Sequence, residues 1–253
     1  MPNRRHLATV VLALLVGAAV VIVPDIGSGI GSAPPDTAKP AAATERSTAP
    51  PEPRRAPRRT PPPPATLVYK VDTSDPVVFL TIDDGTVRDP ALITELKRNG
   101  IPPTLFLTRT YADQDPAYFR RLRDRTGGSI QNHSATHANL LGRALAAQRA
   151  EIGPVSDHYA EVFGERPTLF RAPYGNSDAT TLRAAADAGA KYVVHWGSEV
   201  RDGQLVFAGP HEFRPGSIVL MHFTQNFRAD IAAFVVQAKQ DGLTPALLSD
   251  YLK

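Results

Sequence analysis

From residue 67 onward, two hydrophobic periodicities take turns along the chain. Short apolar runs, rich in β-branched and aromatic residues, occupy residues 77–82, 104–108, 129–132, 168–171, 192–196 and 217–222. Between them, apolar positions at helical spacing predict helices over residues 90–99, 116–125, 141–163, 178–188 and 228–240. Strand-length runs alternating with helices imply βα units built around a parallel sheet. So many units in residues 67–253 predict an α/β fold of the small or incomplete β/α barrel type. No sequence repeat of fixed period is present.

The first 66 residues follow neither pattern. Residues 7–23 are almost unbroken apolar chain behind Arg4-Arg5, which reads as an export signal or an N-terminal membrane anchor. The Arg pair on the cytoplasmic side leaves everything downstream outside. Gly31-Ser32-Ala33 is a weak cleavage site, so signal and anchor both stay open for residues 1–33. Residues 34–64 hold 11 of the 24 prolines. Such composition cannot build a core, and residues 34–66 are expected to be a disordered, extended linker reaching ~3 Å per residue. Arg54, Arg55, Arg58 and Arg59 lie within it. A basic tether suits an anionic envelope surface, although a charge run can equally be a plain solvated linker.

Charge adds one exclusion. Residues 1–66 carry 8 Lys+Arg against 4 Asp+Glu, which leaves 20 against 21 for residues 67–253. The basic surplus thus belongs to the N-terminal region, and the folded part offers nothing to attract nucleic acid. Cysteine is absent, so an exported domain must stand on its packed core alone, for which residues 67–253 are long enough.

The polar residues that interrupt these patterns share one place. In barrels of parallel strands, reacting groups sit at the carboxyl ends of the strands. Asp83-Asp84 follow the first main run, His133 the third, Arg171 closes the fourth, Glu199 and Asp202 follow the fifth, and His222 closes the sixth. Asp83-Asp84-Gly85 taken alone reads as a turn. His133 and His137, if they lie on a helical turn, are i and i+4 neighbours ~5–6 Å apart at Cβ. Two imidazoles and one carboxylate make a three-ligand metal site with positions left open, the catalytic rather than the structural pattern.

The ordered stretches Thr81-Ile82-Asp83-Asp84-Gly85, His133-Ser134-Ala135-Thr136-His137, Arg171-Ala172-Pro173-Tyr174-Gly175 and Leu220-Met221-His222 resemble the polysaccharide deacetylases. These are the NodB homology domains of carbohydrate esterase family 4, and the resemblance runs over residues 77–252. It implies a distorted β/α barrel with fewer than eight strands and metal-dependent removal of acetyl groups from N-acetylated sugars. It further implies that Asp84, His133 and His137 hold one divalent ion, zinc by default with cobalt or nickel as alternatives. The ion would polarise the acetamide carbonyl and offset the repulsion between the two carboxylates. Asp83 would be the general base, oriented by Arg171. His222 would protonate the departing amine, with Asp202 tuning it. The Tyr174 N–H would stabilise the oxyanion, Leu220 would floor the acetyl pocket, and Trp196 would line the sugar site.

Two positions depart from the family pattern around Trp196. Glu199 replaces an Asp, and Gly203 stands where an aromatic ring usually walls the groove, so an opened cleft is expected. The leading expectation is a monomeric, exported deacetylase of cell-wall N-acetylated glycan, peptidoglycan first, its N-terminal segment with the membrane. A chitooligosaccharide deacetylase and a xylan O-acetyl esterase are the alternatives within the enzyme class. An inactive glycan-binding module is the alternative outside it.

Overall fold

The computed structural model describes residues 60–253. The N-terminal apolar segment and nearly all of the proline-rich stretch, with the export and tether expectations, lie outside the described residues. The strands are β1 (Thr66–Val68), β2 (Val77–Asp84), β3 (Thr104–Leu107), β4 (Ser129–Asn132), β5 (Leu169–Phe170), β6 (Tyr192–Val194), β7 (Ser198–Arg201), β8 (Gln204–Phe207), β9 (Ser217–His222) and β10 (Thr244–Pro245). The helices are α1 (Pro90–Arg98), α2 (Arg109–Ala112), α3 (Pro116–Thr126), α4 (Leu145–Phe163), α5 (Ala179–Asp187), α6 (Phe227–Gln240) and α7 (Leu248–Tyr251).

One curled sheet runs in the order β1-β6-β5-β4-β3-β2-β9-β7-β8, with β10 added to the start of β2. Every neighbour is parallel except in the β7–β8 hairpin. The path does not close, so the barrel is incomplete, as the pattern led one to expect. Its strand count is ten among the described residues rather than fewer than eight. The excess comes from short pieces, β1 and β10 with three and two residues, and from the hairpin.

Alternation along β2 explains how the barrel is filled. Val78, Leu80 and Ile82 face outward into the large core under α1, α3 and α6. Phe79 faces inward with Phe106, Leu169, Val194 and Ile218. By the same period Thr81 and Asp83 also point inward, above that apolar floor. A smaller core joins α4 and α5 through Ile152, Phe170 and Ala185.

The helix starts follow from local chemistry. Asp89, Asp115 and Asp178 cap α1, α3 and α5, with proline at the first turn of α1 and α3. Helix α4 begins at Leu145, later than residue 141, because Gly142 is left-handed (φ 74°) and gives its N–H to Asp178 Oδ2 at 2.9 Å. Ordered packing also starts slightly before residue 67. Ala65 is buried and donates to the Leu182 carbonyl at 3.0 Å, and Thr66 opens β1. No helix among the described residues is long and apolar enough to cross a membrane.

Candidate active site

Strand β2 ends in the two carboxylates, and the chain there turns sharply: Asp84 and Gly85 both have positive φ, 81° and 93°. The pair divides at once. Asp83 is almost fully buried and accepts from Arg171 Nη1 at 2.7 Å through Oδ1. Asp84 points instead to the imidazoles. Its Oδ1 lies 3.2 Å from His137 Nε2 and 3.6 Å from His133 Nε2. Although buried, that oxygen has no hydrogen-bond partner in the protein. Atoms that each bind zinc at about 2 Å stand roughly 3–4 Å apart around it. Asp84, His133 and His137 therefore fit a divalent cation, and among the described residues they form the group of metal-capable side chains with ligand atoms within 4.8 Å of one another.

The histidines arrive by a route different from the expected helical turn. Residues 133–137 are a loop in which Ser134 and His137 are left-handed, φ 69° and 61°. The loop is held by the Ser134 N–H on Asn132 Oδ1 (2.9 Å) and the His137 N–H on Ser134 Oγ (3.1 Å). It places the two rings 5.0 Å apart. His133 Nδ1 meets the Arg171 carbonyl at 2.8 Å. That contact assigns the proton to Nδ1 and frees the Nε2 lone pair for a metal. Burial pulls the His133 value below the usual imidazole range, against the opposing influence of Asp83 and Asp84, which favours the neutral, ligating form.

Arg171 organises the interior. Its guanidinium is fully buried and donates to Asp83, to Thr81 Oγ1 (2.8 Å) and to the carbonyls of Val194 (3.0 Å) and His195 (3.3 Å). The Phe106 ring lies 4.2 Å below it. A buried charge is tolerated only when so completely bonded. Asp83 Oδ2 is left facing the metal group, 3.7 Å from His133 Nε2.

The remaining sequence-predicted residues fall around this centre. Tyr174 is left-handed (φ 63°), highly exposed, and its ring meets His137 at 4.7 Å. Among the described residues its N–H finds no acceptor. Leu220 is buried on β9, level with Thr81. His222, two residues on, opens into a cavity of about 350 Å³ shared with Asp84, Asp202 and Asp230. Trp196 stands against Gly175, where an added Cβ would be 3.0 Å from the indole.

Asp202 lines the same cavity as His222 but does not pair with it. Asp202 is exposed and accepts from Asn226 Nδ2 at 2.6 Å, while the carboxylate nearest His222 Nδ1 is Glu199, at 3.8 Å. The cause is the backbone. Asp202 and Gly203, with φ 53° and 73°, are the two-residue turn of the β7–β8 hairpin, where Asp-Gly is a favoured pair. Nor is Gly203 a gap in a groove wall, since a Cβ there would point at Ala229 on α6, 3.2 Å away. Its N–H donates to Asp230 Oδ1 at 2.8 Å. Asp230 is buried, burial raises its carboxyl value, and it too lines the cavity of His222. Sequence reasoning missed it. The available signal was its spacing with Phe227, Ile231 and Phe234, which sets it on the apolar face of α6.

Left-handed backbone at non-glycine residues costs ~1–2 kcal/mol each. Among the described residues it occurs at Asp84, Ser134, His137, Tyr174 and Asp202, all at this rim. A group of metal-capable side chains beside a buried Asp–Arg pair thus sits at the carboxyl end of an incomplete barrel. The family model described as polysaccharide deacetylase matches residues 70–193. A chitooligosaccharide deacetylase of Bradyrhizobium is 31% identical over 154 residues, 57% of this chain and 69% of its own. An uncharacterized protein of Streptomyces coelicolor is 42% identical over 193 residues, 74% of this chain and 77% of its own. The peptidoglycan-N-acetylmuramic acid deacetylase PdaA of Bacillus subtilis is 24% identical over 197 residues, 73% of this chain and 74% of its own. Its solved structure, a family 4 carbohydrate esterase, superposes with a TM-score of 0.61 at 21% identity, over 74% of this chain and 84% of that one. The chain belongs to the polysaccharide deacetylase family.

Proposed function

We propose that this protein is a metal-dependent deacetylase of cell-wall N-acetylated glycan, with peptidoglycan as its substrate and zinc as its ion. The observation that carries the proposal is the unpartnered, buried Asp84 Oδ1 with two imidazole nitrogens at 3.2 and 3.6 Å. When bound there, the ion supplies Lewis acidity toward the acetamide carbonyl. Asp83, fixed through Oδ1 by Arg171, turns Oδ2 toward the reaction and takes the proton of the attacking water. The free Tyr174 N–H donates to the carbonyl oxygen as negative charge grows on it. His222 gives a proton to the amine as the C–N bond breaks, leaving acetate and a free amino sugar. Glu199 stands 3.8 Å from the Nδ1 of that histidine, and Asp230 lines the same cavity.

Every role in this scheme has a residue in reach, which speaks for turnover over a binding module. Peptidoglycan is supported by the basic, proline-rich N-terminal region, which suits an exported protein held beside an anionic wall, and by PdaA. Chitooligosaccharide is the second reading, favoured by the relative at 31% identity. The test is to incubate the full chain with peptidoglycan, chitopentaose and acetylxylan, with added zinc or with chelator, and to measure acetate. Release from peptidoglycan that stops on chelation is expected. No acetate from any polymer, or equal release under chelation, would sink the proposal.

A further inference from the structure

The loop that carries His133 and His137 is strained, and something outside it must hold it. Ser134 and His137 are both left-handed, a backbone state that persists only where the surroundings enforce it. The two N–H groups that lie between them share one destination. Ala135 donates to the Glu151 carbonyl at 2.9 Å, and Thr136 donates to Glu151 Oε2 at 3.1 Å. The Thr136 hydroxyl adds a third bond, to Glu151 Oε1 at 2.9 Å. One residue further on, the Ile152 carbonyl takes Asn132 Nδ2 at 2.9 Å, at the root of the same loop. We propose that Glu151 and Pro154 are positioning residues for the metal group: Glu151 grips the histidine loop, and Pro154 keeps the carbonyls of α4 turned toward it. This rests on the metal reading of the site.

Helix α4 carries its proline where one is least expected. Glu151-Ile152-Gly153-Pro154 lies in the interior of a helix that runs from Leu145 to Phe163. Glycine and proline are the two least favourable residues there. Packing gives no reason for either: Pro154 is exposed, and a Cβ at Gly153 would meet nothing within 4 Å. Pro154 has no N–H to offer the Ala150 carbonyl, and its ring opens the turn before it. That turn holds the two carbonyls, of Glu151 and Ile152, from which the loop hangs. A carbonyl tilted off the helix axis can receive a donor from a neighbouring segment. The deeper attachment is buried, since Asn132 and Ile152 are both in the interior and Asn132 Nδ2 also reaches Ser156 Oγ at 2.9 Å. Glu151 itself stands outside the metal-capable group. Its part is to aim His133 and His137, as outer partners of metal ligands do.

The test measures zinc affinity of the full chain by competition with a coloured chelator, beside thermal melting of the metal-free protein. Glu151→Ala loses both side-chain bonds to Thr136 and should weaken zinc about tenfold, the usual effect of removing such a partner. Glu151→Gln should recover the parent affinity, because its amide can accept from the Thr136 N–H and donate to the hydroxyl. Cobalt bound in place of zinc should show visible bands that move in Glu151→Ala and stay in Glu151→Gln, since these bands report ligand geometry. Pro154→Ala separates fold from site. Its helix gains a hydrogen bond, so the metal-free protein should melt higher while zinc binds more weakly. Should Glu151→Ala not fold, Pro154→Ala decides alone. Unchanged zinc affinity in a folded alanine variant, cobalt bands that stay fixed in Glu151→Ala, or equal loss in the two Glu151 variants would each overturn the proposal. The two proposals fail separately. Zinc bound by the parent but indifferent to these substitutions sinks the positioning roles alone, and a parent that binds no zinc sinks both. Substitutions that act as described, without acetate from any polymer, sink the enzyme reading alone.

Discussion

Asp83 and Asp84 are consecutive, yet the protein neutralises the first and leaves the second open. Arg171 completes Asp83 from within a fully buried pocket, whereas Asp84 Oδ1 has no protein partner. The two Asn variants should therefore separate even before any catalysis is measured. Asp83→Asn strands a buried guanidinium, a loss of about 3–5 kcal/mol. Asp84→Asn removes an unsatisfied charge and should leave metal-free stability level or higher. Urea unfolding in chelator reads the first difference, and zinc titration reads the second: Asp84→Asn loses affinity, while folded Asp83→Asn keeps the ion and drops kcat by ~10²–10⁴. Equal destabilisation in chelator, together with equal zinc affinity, would refute the division of roles.

At the scale of an element, α5 shows how one side chain ties two segments. Asp178 caps the helix through the Thr181 N–H at 2.8 Å and also accepts from the Gly142 N–H at 2.9 Å. The Gly142 bond leads the causes that hold its carboxyl down from 3.8 to about 2. A carboxyl lowered on folding stabilises fully above pH 3.8 and loses that contribution as pH falls to about 2. Asp178→Ala should cost about 1 kcal/mol near neutrality. The gap in melting temperature from the parent should narrow as pH drops from 4 to 2; a gap that stays constant would show that the charge is not involved. Elements of this strength were legible in the sequence: the long helices, the six main strands and the carboxyl-rim position of Asp83, His133, Arg171 and His222 all follow from pattern. The β7–β8 hairpin was not, although Asp202-Gly203 sits between residues that alternate. Reading those residues as a motif for His222 and a groove wall hid their turn chemistry. The metal histidines were found for a partly different reason, since left-handed loop residues, which no periodicity reveals, supply the geometry that i, i+4 spacing suggested.

The whole molecule hangs on β2. Its carboxyl end pairs with β3, its other edge with β9, and β10 joins its start. The Thr81 hydroxyl donates to the Val219 carbonyl, 138 residues further along the chain. Such distant pairing slows folding. A chain ended after residue 214 lacks β9 and β10, and it should give no cooperative unfolding transition by circular dichroism. A folded, soluble product would contradict the central place given to this strand. The same arrangement sets a timetable for the newborn chain. At ~5–20 residues per second, Val219 follows Thr81 out of the ribosome by roughly 7–30 s. For that interval the eight-residue strand β2, buried along most of its length, has one bare edge, a sticky segment awaiting its neighbour. The aspartates that end β2 are therefore made in the first half of the chain, but the centre they serve is assembled only when its last fifth arrives. A holding factor that keeps the nascent chain loose would serve this protein better than one that speeds early collapse.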